Sequence, residues 1–237
     1  MRHAVWIWAL VAAAAIALAT AASLVAQEWG PPRSFTGLSF VMAEPVGELG
    51  GLFDNGFGAE LGGSWSVTEN RLLRVRGDLG FLVHGYQQVH YCYPTPYGCQ
   101  VQGGATTSNN IFYFGLGPEL GLPLGPVEPY AYGTAGLSYF TTFSSHYGGY
   151  GAYWAGSSVD DVVMAWRFGG GVRLRVGRGP HPLWFDFGVE RHENGVASFA
   201  AESTDPYGGV TLHPYTGEAN LMTFRLGLSV GMGSERR

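Results

Sequence analysis

Leu72-Leu73-Arg74-Val75-Arg76-Gly77-Asp78-Leu79-Gly80-Phe81-Leu82-Val83-His84 is the stretch that decides the fold. Its odd positions read Leu73, Val75, Gly77, Leu79, Phe81 and Val83. Its even positions read Arg74, Arg76, Asp78, Gly80, Leu82 and His84, and they hold all of its charge. Period two is the signature of a β-strand with two chemically different faces. The run exceeds the about 5–6 residues of an ordinary strand. It also reaches the about 9–11 residues that a tilted strand needs to cross a membrane.

Outward from this stretch, the same alternation recurs in segments 37–43, 57–67, 111–122, 128–143, 162–176, 183–192 and 221–232. With 72–86 they predict an all-β chain, an eight-stranded antiparallel up-and-down barrel over 37–232 with lipid outside and a wet or ionic interior. The connections alternate in length. Short turns are expected at 68–71, 123–127 and 177–182, and longer loops at 44–56, 87–110, 144–161 and 193–220. Short turns at one end and long loops at the other is the asymmetry of bacterial outer-membrane barrels. A soluble lipocalin-like barrel shares the period with an inverted interior. Against it stand apolar faces such as Met164, Trp166, Phe168, Val172, Leu174 and Val176, which carry more bulk than eight strands enclose. The opposite faces mix isolated charges with Gly, Ser and Thr. The surface of a soluble barrel would also be poor in charge.

The ends and the composition agree. Met1-Arg2-His3 is a short basic start, residues 4–26 are uncharged and alanine-rich, and small-residue cleavage options lie at Ala19-Thr20-Ala21 and near Ala26. This predicts a signal peptide over 1–26, a lead-in over 27–36 and a tail over 233–237, with an uncleaved anchor as the rival reading of the first segment. Glycine numbers 38, phenylalanine 14 and tyrosine 13, and only 13% of residues are charged, so apolar surface must be spread over strands. Lysine is absent and the net charge is −5, which excludes a basic stripe for nucleic acid. No residue pattern calls for a cofactor or a catalytic metal.

The polar faces supply Arg74, Arg76, Arg167, Arg173, Arg175 and Arg225 against Glu60, Asp78, Glu119, Glu128, Asp186 and Glu190. Arginine and carboxylate pair bidentately, and an unpaired charge in a low-dielectric lumen is costly. The expectation is an ionic network that plugs the lumen, with a charge-lined conduction path as the alternative. Cys92 and Cys99, in one expected loop of a secreted chain, read as a disulfide. In the 144–161 loop, Tyr147, Tyr150, Tyr153 and Trp154 among glycines resemble an aromatic recognition surface for an extracellular ligand, or else aromatics resting at the headgroup boundary.

On these residues the chain resembles the outer-membrane β-barrel domain family that includes the OmpA transmembrane domain and OmpX. The resemblance covers essentially all of 37–232. Pro45-x-Gly47 followed by Asp54-x-Gly56-x-Gly58 is similar to the first hairpin of such proteins. Arg225-x-Gly227-x-x-Val230-x-Met232 resembles the closing signal read by the barrel assembly machinery. The chain departs from the pattern in ending on Gly233-Ser234-Glu235-Arg236-Arg237 rather than on an aromatic residue, and no peptidoglycan-binding segment follows. The resemblance implies residence in the outer membrane, contact with its lipid and with the assembly machinery, and a structural or surface-interaction role. A narrow solute channel and a lipid-modifying enzyme remain alternatives. For the enzyme, Arg191-His192-Glu193-Asn194-Gly195 is reminiscent of lipid A deacylases, but Asn194 stands where that family has its serine, and His192 is expected at the rim or in the lumen.

Overall fold

The computed structural model of the chain describes residues 30–48, 50, 55–95, 98–147, 153–177, 179–204 and 210–234. The expected signal peptide lies outside these residues. The described strands are β1 Ser34–Pro45, β2 Gly56–Ser66, β3 Leu73–Thr95, β4 Gly98–Gly121, β5 Val127–Tyr147, β6 Tyr153–Arg175, β7 Leu183–Glu193, β8 Val196–Thr204, β9 Val210–Glu218 and β10 Leu221–Met232. Eight of them close a barrel in the order β1-β10-β7-β6-β5-β4-β3-β2, while β8 and β9 form a separate hairpin. Every pairing is antiparallel, and the seam runs from Ser34↔Met232 to Pro45↔Leu221.

The alternation in sequence becomes an inside and an outside. On β3, Arg74, Arg76, Asp78, Leu82 and His84 are buried, whereas Leu73, Val75 and Leu79 are exposed. On β6, Val162, Met164, Trp166 and Phe168 face outward, as do Val176 just beyond its end and Leu226, Leu228, Val230 and Met232 on β10. At ~3.3 Å per residue and a tilt of ~45°, the apolar face from Val162 to Val176 covers ~33 Å of membrane normal, close to the ~30 Å hydrocarbon thickness. Outward apolar residues and inward charges make this a transmembrane barrel.

At one end the turns are tight. Leu124 N donates to Val127 O at 3.0 Å, and Gly125 takes φ 82° ahead of Pro126. A glycine supplies the positive φ that such a two-residue hairpin turn requires.

The other end differs from expectation. The segment 87–110 is not a loop, because the β3–β4 ladder continues through His90↔Gly104 to Thr95↔Gly98. Likewise β5 and β6 stay paired to Tyr147↔Tyr153, so most of 144–161 is strand. The stretch 193–220 contains the β8–β9 hairpin, in register from Val196↔Glu218 to Thr204↔Val210. The physical reason is that period two reports a chemical contrast between faces. Where a ladder leaves the apolar band both faces meet water, so the contrast ends although the hydrogen bonds do not. Register shifts at His84/Gln87 and Thr142/Phe143 mark that exit, as bulges do at barrel rims.

Candidate functional site

The lumen nearest the tight turns is built from charges on facing strands. Arg74 of β3 donates to Glu128 of β5 through Nη1 at 2.5 Å and Nη2 at 3.1 Å. Arg173 of β6 donates to Glu119 of β4 through Nη1 at 2.9 Å and Nη2 at 2.8 Å, and through Nε to Asp186 of β7 at 3.2 Å. Arg76 joins Glu119, Glu60 and Asp78 at 3.2, 3.1 and 3.1 Å. Arg225 of β10 reaches Glu60. Glu119 therefore receives Arg74, Arg76 and Arg173 together.

Three tyrosines complete the acceptors' coordination. Tyr113 donates to Glu60 at 2.9 Å, Tyr130 to Asp186 at 2.5 Å, and Tyr132 to Glu190. Their rings also carry the cations. The Arg173 guanidinium lies 4.1 Å from the Tyr130 centroid and that of Arg76 lies 4.1 Å from Tyr132. Arg173 and Arg74 sit 4.5 and 4.9 Å from Phe35 of β1. Each barrel strand thus contributes to one layer. Charge-assisted bidentate pairs of this kind are strong and geometrically selective. A cavity of about 20 Å³ lies in this layer, bordered by Phe35, Glu60, Arg76, Arg173 and Arg225. That is room for about one water molecule.

Two expected members stand apart. Arg175 is half-buried at the end of β6, where Nε donates to Gly177 O at 3.1 Å, so it caps a turn instead of joining the network. Arg167 is fully buried, yet none of its three guanidinium nitrogens has a hydrogen-bond partner among the described residues. Its charge rests 5.0 Å from the Tyr113 ring centroid.

Above the charges the lumen turns apolar. Val41, Ala43, Leu82, Ile111, Tyr113, Phe140 and Leu221 pack with Ala197 of β8 and Ala219 beside β9. The hairpin is tied down where it begins. Ser138 Oγ donates to Asn194 Oδ1 at 2.7 Å, Asn194 Nδ2 donates to Ala219 O at 2.7 Å, and Asn194 N donates to Asn220 Oδ1 at 3.0 Å. Ser198 N of β8 donates to Asp161 Oδ2 of β6 at 2.8 Å. His192 is wholly buried in the lumen, with Nε2 2.5 Å from Glu190 Oε1. Ser198 Oγ, the serine nearest to it in sequence, lies 3.3 Å from Thr216 Oγ1 instead. A deacylase would need its histidine and serine together at the outer leaflet, and these two groups are engaged elsewhere.

The remaining sites lie on the long hairpins. Cys92 and Cys99 occupy the outer end of the β3–β4 ladder, where Cys99 is in register with Pro94. Their side chains, and with them the expected disulfide, lie outside the described residues. The backbones of Tyr147, Tyr153 and Trp154 end the β5–β6 ladder. Tyr150 and the four aromatic side chains lie outside the described residues.

The architecture is that of the small outer-membrane barrels. No protein-family model matches the sequence, and no curated protein matches it. Among solved structures the chain is similar to outer membrane protein OprG from Pseudomonas aeruginosa, at 12% identity over 86% of this chain and 98% of that one, with a TM-score of 0.47. It is also similar to Neisserial surface protein A, at 13% identity over 86% and 99% with a TM-score of 0.45. The attachment invasion locus protein Ail of Yersinia pestis follows, at 13% over 85% and 99% with a TM-score of 0.43. The barrel assignment rests on this chain's own closed ladder.

Sequence reasoning missed Phe35, Tyr113, Tyr130, Tyr132 and Asn194. The tyrosines were findable, because Tyr130 and Tyr132 continue the inward register that begins at Glu128. Asn194 had no local signal, since its partners Ser138 and Ala219 are remote in the chain.

Proposed function

We propose that the protein is a non-conducting outer-membrane barrel that works outside the membrane through the strands projecting from its open end. The observation that carries this reading is the inequality of the strands. β3, β4, β5 and β6 have 23, 24, 21 and 23 residues, against 12, 11, 11 and 12 for β1, β2, β7 and β10. A membrane span does not need the additional length. It forms a wing of four paired strands above the rim.

The chemistry of the wing narrows the partner. No Asp, Glu, Lys or Arg occurs over 85–110 or 133–159, so a polyanion finds no cation there. Tyrosine, serine, threonine, glycine and glutamine dominate, which supports contact through aromatic area and adaptable hydrogen bonds. From Gln87 onward the outer edge of β3 has no strand partner among the described residues. Free backbone donors and acceptors on an uncharged edge accept an added strand. The reading is therefore attachment to an uncharged protein surface. The buried arginine–carboxylate pairs across the lumen support the non-conducting half of it.

The test pairs the parent with a variant in which 86–109 and 145–157 are each replaced by a tight turn. Both are expected to fold and to remain silent in planar bilayers, while only the parent binds immobilised host-matrix proteins. Equal binding by the trimmed barrel overturns the wing as the functional part. Steady single-channel conductance of the parent returns the channel reading.

A further inference from the structure

The charges outside the lumen divide between the two ends of the barrel. At the open end stand Glu44, Glu48, Asp160, Asp161, Glu193 and Glu218, with Arg191 as the one arginine among the described residues. At the turn end the balance reverses. Arg33, Arg71, Arg175 and His181 stand there, with Glu69 as the one carboxylate outside the lumen among the described residues. Val67, Leu122, Leu124 and Val176 at the same turns are exposed, so the apolar faces run out to the turns. The cations therefore lie where hydrocarbon gives way to phosphate, the depth at which long basic side chains extend toward headgroups.

The β2–β3 hairpin adds a place to bind. Its outer face shares a groove of about 390 Å³ with β4, bordered by Val67, Leu73, Val75, Leu116 and Pro118. All but the proline are exposed apolar residues of the lipid-facing band, so an acyl chain fills the groove. Val67 N donates to Leu73 O at 3.0 Å, and the turn from Thr68 to Arg71 hangs directly from this pair. Ser66 N donates to Arg33 O at 2.8 Å, which brings Arg33 beside the same turn. Arg71 has φ 61°, and every other described residue of positive φ is a glycine. A side chain of this kind is disfavoured there. The turn is closed by other groups: Arg71 N donates to Thr68 O at 3.1 Å, Leu73 N to Thr68 Oγ1 at 3.2 Å and Leu72 N to Asn70 Oδ1 at 3.2 Å. An arginine held against its backbone preference, in a turn that its backbone and neighbours already close, points to a task for the guanidinium.

We propose that this corner of the barrel binds an anionic glycerophospholipid from the leaflet at the turn end, with one acyl chain in the groove and the phosphate oxygens at Arg71 and Arg33. Guanidinium pairs bidentately with phosphate. Against Glu69, Arg33 and Arg71 leave the corner with a net positive charge. A zwitterionic headgroup brings its own ammonium and forgoes that attraction, whereas an anionic one keeps it. Arg175 and His181, farther round the rim past β1, β10 and β7, extend the positive field. An acidic protein would meet the same charges but would leave the groove empty, because the groove opens to hydrocarbon.

The experiment mixes the refolded full chain in detergent micelles with equal amounts of phosphatidylglycerol, phosphatidylethanolamine and phosphatidylcholine of identical acyl chains. Excess lipid is removed and the lipid that stays with the barrel is counted by mass spectrometry. Phosphatidylglycerol is expected to be enriched about fivefold over phosphatidylcholine, the effect of one net cation at a lipid surface. Arg71→Gly is expected to bring that ratio near one while raising the unfolding temperature by about 2–4 °C, because glycine accepts the φ of the turn. Val75→Trp, which fills the groove and leaves the charges, is expected to lower the retention of all three lipids. Arg191→Gln at the open end is expected to change neither ratio nor amount. Equal retention of phosphatidylglycerol and phosphatidylcholine overturns the proposal, as does phosphatidylethanolamine held as strongly as phosphatidylglycerol. A preference that survives in Arg33→Gln/Arg71→Gly, or retention untouched by Val75→Trp, overturns it too. A lower unfolding temperature in Arg71→Gly would make Arg71 a support of the turn and remove its assigned task. Capture of polyglutamate without enrichment of phosphatidylglycerol would give the corner to an acidic protein instead.

Discussion

Around Glu119 the lumen is lined by paired charges and around Ile111 by hydrocarbon, and the two linings depend on their neighbours differently. Glu119 meets three guanidinium groups, so removing it leaves several cations short of a partner. Ile111, fully buried, touches groups that ask nothing of it except volume. An ionic layer is therefore all-or-none and specifies which strands face each other, whereas an apolar layer yields by degrees.

The largest test of that contrast is Glu119→Leu, expected to cost about 3–5 kcal/mol, as breaking a buried ion network does. Urea unfolding of refolded protein in lipid vesicles measures it. The double variant with Arg173→Met should be less damaging than the sum of the two single changes, because each removes the other's unmatched charge. Additivity would mean the layer is a set of independent pairs. Next in size is Ile111→Ala, expected at about 3 kcal/mol from lost burial and the cavity left behind. If it proves as damaging as Glu119→Leu, the two layers do not differ in kind. The smallest is Asn194→Ala, which removes the side-chain bonds to Ser138 and Ala219 at about 1–2 kcal/mol. Its effect should be local, with faster amide exchange in β8 and β9 while β1–β7 and β10 keep their protection. Uniform loss across the barrel would show that the hairpin is part of the cooperative core.

The same contrast explains what could be read from the sequence. On β3, Arg74, Arg76 and Asp78 alternate with Leu73, Val75 and Leu79, so inside and outside differ in charge and the barrel is legible. At Leu82, Ile111 and Phe140 the inward residue is as apolar as its outward neighbour, and the second layer leaves no trace in the alternation. The ladder beyond Gln87 was hidden for the mirror reason, both faces there being polar. The ionic residues were recoverable as a set but not as pairs. Which arginine meets which carboxylate depends on register across strands, and only that register separates Arg167 and Arg175 from the other four arginines.

The seam between β1 and β10 carries a consequence for how quickly this molecule forms. Its rungs join Ser34 to Met232 and Pro45 to Leu221, nearly opposite ends of the described chain, while the other barrel ladders join strands that follow one another apart from the inserted hairpin. Loop-closure entropy must be met before such distant contacts give anything back. The hairpins can zip from their own turns, and the seam can close only after all of them stand in line. Closure is thus the slow step of assembly. Substitutions at Leu38 or Leu228, which face each other across it, should change the refolding rate more than equal changes between β3 and β4.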